Sequence, residues 1–207
     1  MILVGNDIID LTIPEAIGKS RDIRFIKRVF TAYEEHCIVG AETPDTMLWN
    51  LWAAKEAAYK VVSKSHPVAN SIPHRYEAHL ESTDFLEAAG RVISPYGSIE
   101  IETSFTDHYI HCIGISRGKT KWDSVVSKVE KVAEGLSLHN ESEAIRDLLR
   151  RDLSRHLSIY PDHIEILRTK GPLGLGPPQV YIKGEKSTID ISMSHDGQFM
   201  AYAYVRG

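Results

Sequence analysis

Apolar and polar positions divide the chain into alternating strand-like and helix-like stretches. Residues Met1 to Asp10 read as a strand that is apolar on both sides, with Leu3, Gly5, Asp7 and Ile9 on one face and Ile2, Val4, Asn6 and Ile8 on the other. From about Pro14 to Phe30 the spacing predicts a helix: Ile23, Phe25, Ile26, Val29 and Phe30 share one arc, and Arg21, Arg24, Lys27 and Arg28 share the opposite one. A second helix is predicted after Pro44-Asp45, running through Trp52, Lys55, Glu56 and Lys60 to about Ser63 and stopping before His66-Pro67. Four strands follow, near Arg75 to Leu80, Arg91 to Ser94, Ser98 to Ser104 and His108 to Ser116. Turn chemistry at Pro95-Tyr96-Gly97 and Thr106-Asp107 arranges them as an antiparallel meander.

Beyond a polar joint at residues 118–121 the same order recurs. A strand is expected over Trp122 to Val132, a helix over Glu141 to Leu157, and strands near His163 to Arg168, Gln179 to Lys183, Thr188 to Met193 and Gln198 to Val205. Laying Thr103 to Gly118 over Ser192 to Gly207 superposes Asp107 on Asp196 and Arg117-Gly118 on Arg206-Gly207. The expected fold class is α+β: a pseudodimer of two similar halves, residues 1–118 and 119–207, each with helices packed on a small antiparallel sheet.

Composition narrows the class. At 207 residues, 43% hydrophobic and 25% charged, the chain has the profile of a globular protein, and disordered and fibrous classes are excluded. A net charge of −4 argues against a general nucleic-acid binder, which needs a broad surplus of Lys and Arg. Cys37 and Cys112 are too far apart in sequence for a zinc or redox motif. No apolar run approaches the ~18 to 20 residues of a membrane span, and the N-terminus has no basic lead, so the expected location is the cytoplasm.

Several residues could carry chemistry. Asp7 is an acid at the end of an apolar strand, where a carboxylate must reach water, a partner or a cation; Asp10, on the other face, reads as a turn cap. Glu56 and Lys60 lie four apart on the second helix, an ordinary spacing for a surface pair worth ~0.3 to 0.5 kcal/mol. That helix is apolar around much of its circumference, which puts the pair at a partly buried seam. Ser194-His195-Asp196-Gly197 stands at a predicted hairpin tip; the turn explains Asp196 and Gly197 but not Ser194 and His195. Lys170-Gly-Pro-Leu-Gly lacks the ending of a P-loop. His108 and His111 fall on opposite strand faces and cannot jointly grip one metal.

Taken in order, three passages carry a resemblance. Val4-Gly5-Asn6-Asp7-Ile8-Ile9-Asp10, Phe25-Ile-Lys-Arg-Val-Phe-Thr-Ala-Tyr-Glu34 and Trp52-Ala-Ala-Lys-Glu-Ala-Ala-Tyr-Lys60 are similar to the Gly-x-Asp-Ile, Phe-x-x-Arg-x-Phe-Thr-x-x-Glu and Trp-x-x-Lys-Glu-Ala-x-x-Lys segments of the 4′-phosphopantetheinyl transferase superfamily. The chain resembles most its holo-[acyl-carrier-protein] synthase branch. The resemblance is dense over residues 1 to about 64 and returns at Ser192-Met-Ser-His-Asp-Gly.

The resemblance implies an enzyme that moves the phosphopantetheine arm of coenzyme A onto a serine of an acyl or peptidyl carrier protein, in fatty acid or polyketide biosynthesis. Adenosine 3′,5′-bisphosphate is the product released, and Mg²⁺ is the cofactor. It implies Asp7 and Glu56 as metal ligands, Asp7, Glu56 and Lys60 as catalytic residues, and Lys60, Ser194, His195, Lys170 and Arg28 as coenzyme A contacts. Lys55 supports the site rather than entering it. Mg²⁺ suits one or two carboxylates plus phosphate oxygens and waters. The general base is Glu56 or a water. Arg21, Arg24, Lys27 and Arg28 acquire a role in docking an acidic carrier. The chain is long enough to supply both faces of the site as a monomeric pseudodimer. Where relatives have Gly-Lys-Pro, this chain reads Gly176-Pro177-Pro178, which sustains the alternative of a non-catalytic coenzyme A or carrier-binding module on the same fold. A weaker third class is a structural subunit of a lipid or polyketide assembly.

Overall fold

A computed structural model describes residues 2–82, 87–116, 122–132, 138–171 and 174–205. The first half begins with strand β1 (Val4–Asp10) and continues through helices α1 (Ile23–Val29), α2 (Ala32–Gly40) and α3 (Pro44–Ser65). Strands β2 (Glu77–Ser82), β3 (Glu87–Ser94), β4 (Gly97–Phe105) and β5 (Tyr109–Ser116) complete it. All pair antiparallel in one sheet of order β1-β5-β4-β3-β2. The second half runs β6 (Val125–Lys131), α4 (Leu138–Leu157), β7 (Ile164–Gly171), β8 (Gly174–Ile182), β9 (Glu185–Lys186), β10 (Ile191–Asp196) and β11 (Phe199–Val205). Here β10-β11-β6 form one sheet and β7-β8-β9 another.

The connectivity therefore occurs twice. In each half the first strand pairs with the last, and the last forms a hairpin with the strand before it: β1-β5-β4 and β6-β11-β10. The halves differ where the first extends its sheet through β3 and β2 while the second splits β7 to β9 away. The fold is α+β, as the periodicity predicts, and the joint expected at 118–121 lies outside the described residues.

Most elements fall where the pattern places them, but the helix expected from Pro14 to Phe30 is broken. Its stretch holds two single 3₁₀ turns, Pro14–Ala16 and Lys19–Arg21, and only then the short α1. Gly18 takes φ +73°, and the Asp45 carboxylate accepts the backbone N–H groups of Gly18 and Ser20 at 2.6 and 2.7 Å, which fixes the chain in a non-helical path. Asp22 then caps α1 by accepting the Phe25 N–H. One consequence contradicts the amphipathic reading: Ile23, expected on the apolar arc, is 66% exposed. The element α2, for which the pattern gave no helix, opens with a capping box between Thr31 and Glu34.

Packing of α3 on the first sheet positions everything that follows. Gly5 faces the helix, and a Cβ there would meet the Ala57 carbonyl oxygen at 2.1 Å. Its missing side chain lets the α3 backbone approach β1 closely, with Ala53, Ala54, Ala57 and Ala58 buried at the contact. The other face of the β1-β5 edge packs on the second half, where Val4 and Ile115 meet Ala203 and Val205, and Ile8 meets Phe199 and Ala201. Among the described residues no helix is long and apolar enough to cross a membrane.

The Phe-Thr-x-x-Glu passage is built into this core. Glu34 is fully buried; its carboxylate accepts the N–H groups of Thr31 and Ala78, both at 2.8 Å, and pairs with the Lys55 ammonium. Lys55 also donates to the Val29 carbonyl at 2.8 Å and lies 4.9 Å from the Phe30 ring centroid. Burial outweighs the carboxylate and pulls the Lys55 ammonium below its ordinary value.

Two stability outcomes follow. Gly5→Ala is expected to lower stability by about 2 kcal/mol or more through overpacking against backbone, read as a shifted urea midpoint; an unchanged midpoint contradicts the close approach. Lys55→Met and Glu34→Gln are each expected to cost roughly 3 to 5 kcal/mol, and together clearly less than their sum. Strict additivity would show that the pair does not act as one unit.

Candidate active site at the junction of the halves

The site grows from one unpaired strand edge. β5 satisfies one edge of β1, and the even-numbered N–H and C=O groups of β1 point the other way, where no strand among the described residues is hydrogen-bonded. Side chains take that role. From β10, Asp190 accepts the Val4 N–H at 2.7 Å, Ser192 the Asn6 N–H at 2.9 Å, Ser194 the Ile8 N–H at 3.3 Å and Asp196 the Asp10 N–H at 2.8 Å. From α3, Lys64 donates to the Val4 carbonyl at 2.5 Å and Lys60 to the Asn6 carbonyl at 2.7 Å. One helical turn climbs about 6 Å over four residues and a strand climbs about 6.6 Å over two, so a helix lying antiparallel to β1 meets alternate carbonyls with every fourth residue.

At the next position in that helical row the residue is Glu56 instead of a third lysine. Asp7, on the α3 face of β1, is buried, and its Oδ1 accepts from Lys60 Nζ and from Ser194 Oγ, each at 2.8 Å. The Glu56 carboxyl is pushed up to about 7, first by burial and then by the neighbouring Asp7 charge, with Lys60 opposing. Two acids, one lysine and one hydroxyl thus converge from β1, α3 and β10. The Asp7–Ser194 contact joins the two halves directly.

His195 points away from this cluster, as alternation on β10 requires, and its Nδ1 lies 3.4 Å from the Glu141 carboxylate near the start of α4. Asp196 closes the row and is lifted above the usual carboxylate range, first by burial and then by Asp7 and Asp10. Ser194, His195 and Asp196 lie within β10, so the hairpin tip is Gly197-Gln198, not the tetrapeptide. Gly197 takes φ +52°, and a Cβ there would sit 2.2 Å from Asp10 Oδ2. Asp10 caps the turn after β1 by accepting from Thr12 and accepts the Gln198 N–H as well.

The remaining sequence candidates are spread more widely. Arg21, Arg24, Lys27 and Arg28 are exposed together beside Ile17 and Ile23, which are 71% and 66% exposed. Lys170 is exposed on β7. Neither Arg28 nor Lys170 makes a hydrogen bond to the Asp7 cluster. A cavity of about 350 Å³ lined by Leu11, Ile17, Trp49, Phe105 and Asp107 lies beside the basic surface. His111 is buried against Asn6 and held down to about 4, chiefly by burial, which suits an uncharged structural imidazole.

Sequence reasoning missed Lys64, Asp190, Ser192 and Glu141. The first three left a signal: Glu56, Lys60 and Lys64 form one i, i+4 row, and Asp190, Ser192, Ser194 and Asp196 are polar at every second position of a buried strand. Glu141 left none, being one of several acids along α4.

The donor set can be tested against a divalent cation. No group of three or more His, Cys, Asp and Glu side chains among the described residues could hold a metal by itself. Two carboxylates remain, one of them destabilised as an anion first by burial and then by the other, at the point where the row of lysine cations stops. That suits a hard cation completed by phosphate oxygens and water. In the metal-free protein the raised Glu56 carboxyl binds a proton that the unfolded chain releases above its ordinary value of 4.5. Stability is therefore lost as pH rises from there through about 7. Glu56→Gln is expected to be more stable than the parent by about 1 to 2 kcal/mol at pH 8, discounted for partial exposure, with little difference at pH 4.5. Parallel urea-midpoint profiles would contradict this.

No curated protein matches the chain. Among solved structures, the crystal structure of Thermotoga maritima holo-[acyl-carrier-protein] synthase is similar at 12% identity, covering 90% of this chain and 86% of that one with a TM-score of 0.40. Residues 3–86, the stretch that holds Asp7, Lys55, Glu56, Lys60 and Lys64, match the family model of the 4′-phosphopantetheinyl transferase superfamily, and it is this superfamily that the chain resembles.

Proposed function

We propose that the protein transfers 4′-phosphopantetheine from coenzyme A to a serine hydroxyl of an acyl or peptidyl carrier protein, releasing adenosine 3′,5′-bisphosphate. The convergence of Asp7, Glu56 and Lys60 at the junction of the halves is the observation that carries this reading. In the reaction the serine oxygen bonds to the phosphorus of the pantetheine phosphate, and the bond from that phosphorus to the bridging oxygen breaks. The electron pair leaves on adenosine 3′,5′-bisphosphate. Such a step is governed by positioning and charge neutralisation.

Asp7 and Glu56 would hold Mg²⁺, which when bound neutralises the diphosphate oxygens. Lys60 holds Asp7 in place and, being partly exposed, keeps a cation within reach of the donor. Glu56 is the candidate acceptor of the serine proton. His195, held by Glu141, together with Lys170 and Arg28 is assigned to the phosphates of coenzyme A. The exposed Arg21, Arg24, Lys27 and Arg28, with Ile17 and Ile23 beside them, suit an acidic carrier with an apolar contact at its centre.

A second reading, a non-catalytic binding module, rests on β8. There Pro177 stands in place of a lysine, and neither it nor Pro178 offers an N–H group to a phosphate. One assay separates the two: intact mass of an apo carrier protein after incubation with the protein, coenzyme A and Mg²⁺. A gain of one phosphopantetheine is expected. Asp7→Ala and Glu56→Gln are each expected to reduce transfer at least about 100-fold with the fold retained, and His195→Ala to raise KM for coenzyme A. No mass gain across a panel of acyl and peptidyl carriers would overturn the transferase in favour of the binding module.

A further inference from the structure

The row of contacts between β10 and β1 holds more than a packing interface. Each partner is displaced by the same 186 residues, from Val4–Asp190 through Asn6–Ser192 and Ile8–Ser194 to Asp10–Asp196. The strands therefore run parallel and in step, with the side chains of β10 in place of the backbone of a neighbouring strand. We propose that β10 is a side-chain template for β1, that Ser194 is the positioning residue for the Asp7 carboxylate, and that Lys64 with Asp190 fixes the register at which they meet. Its kinetic consequence rests on the transferase reading; the template itself does not.

Ser194 has one proton to give and two lone pairs. It donates to Asp7 Oδ1 at 2.8 Å and accepts the Ile8 N–H at 3.3 Å, at a buried position. With Lys60 on the same Oδ1, the carboxylate of the first half is oriented by one donor from each half. A hydroxyl so committed orients an acid and is not free to bind a phosphate.

Register is what makes this contact specific. A slip of one residue on β10 would turn Met193 or His195 toward β1, and a slip of two would bring Ser192 or the Asp196 carboxylate to Asp7. Lys64 opposes both. Its buried ammonium donates at once to the Val4 carbonyl of one half and to Asp190 Oδ2 and the Ile191 carbonyl of the other, the last two at 2.7 Å. Asp190 Oδ2 in turn accepts the Val4 N–H. A shifted strand would leave a buried ammonium and a buried carboxylate without partners, a cost that a hydroxyl rung alone does not impose.

Backbone amide exchange of the full chain, followed by NMR, tests the template without any substrate. Ser194→Ala is expected to speed exchange at the Ile8 amide at least tenfold while the Val4 amide stays as in the parent; parent-like exchange at Ile8 overturns the template. Lys64→Met is expected to speed exchange at Val4, Asn6 and Ile8 together. If that variant does not fold, Lys64→Arg, which keeps the charge but not the fit, is expected to do the same, and native exchange there overturns the register anchor. In the transfer assay Ser194→Ala is expected to lower kcat at least tenfold with KM for coenzyme A unchanged, and Ser194→Thr to restore it. A raised KM with unchanged kcat overturns the positioning role. A parent protein that transfers nothing yet shows the expected exchange pattern supports the template and overturns only the transferase reading.

Discussion

An open strand edge inside the molecule is the constraint on which this structure turns. A buried N–H or C=O left without a partner costs as much as a lost hydrogen bond or more, so the outer edge of β1 cannot meet the second half bare. It is closed by hydroxyls and carboxylates on its amides and by lysines on its carbonyls. The two kinds of partner come from different directions, β10 and α3, and both match the strand because alternate strand residues and successive helical turns have nearly the same rise. Where the lysine row gives way to Glu56, the edge changes from a structural seam into a place where negative charge gathers. The candidate chemistry sits at that change.

That arrangement needs the helix to lie close to the strand, and Gly5 is the reason it can. A side chain at that position would meet the Ala57 carbonyl, and the lysines would no longer reach the carbonyls of β1. The signature residues thus divide by where they are buried. Lys55 and Glu34 tie α3 to α2 and to β2 deep in the first core, while Glu56 and Lys60, beside and one turn beyond Lys55, face the seam. A motif that reads as one run along the chain performs two physical tasks because neighbouring helical residues point about 100° apart.

The second half contributes little to that motif but completes the cluster. Ser194 reaches Asp7 across the junction, and Asp190 receives both an amide of β1 and an ammonium of α3. His195 is turned to α4 by the alternation that turns Ser194 to β1. Adjacent residues of one short polar run accordingly face different partners.

What the amino-acid sequence determined by itself is the local part. The two faces of β1, the extent of α3, the antiparallel strands and the recurrence of one strand–helix–meander order all follow from periodicity, which each segment carries without knowing its neighbours. Asp7, Glu56 and Lys60 stood out because acids and a lysine on apolar elements need a partner. The break of the Pro14–Phe30 stretch was not legible, since Asp45, far along the chain, captures its amides and overrides an amphipathic pattern that also misplaced Ile23. Nor was the closure of the β1 edge. Only the tertiary structure decided that Ser194 serves Asp7 and that Lys64 serves Asp190. The reason is that a polar residue declares its need for a hydrogen bond in the sequence, whereas the group that answers it is chosen by the packing of two halves whose contacting residues lie 126 to 187 positions apart.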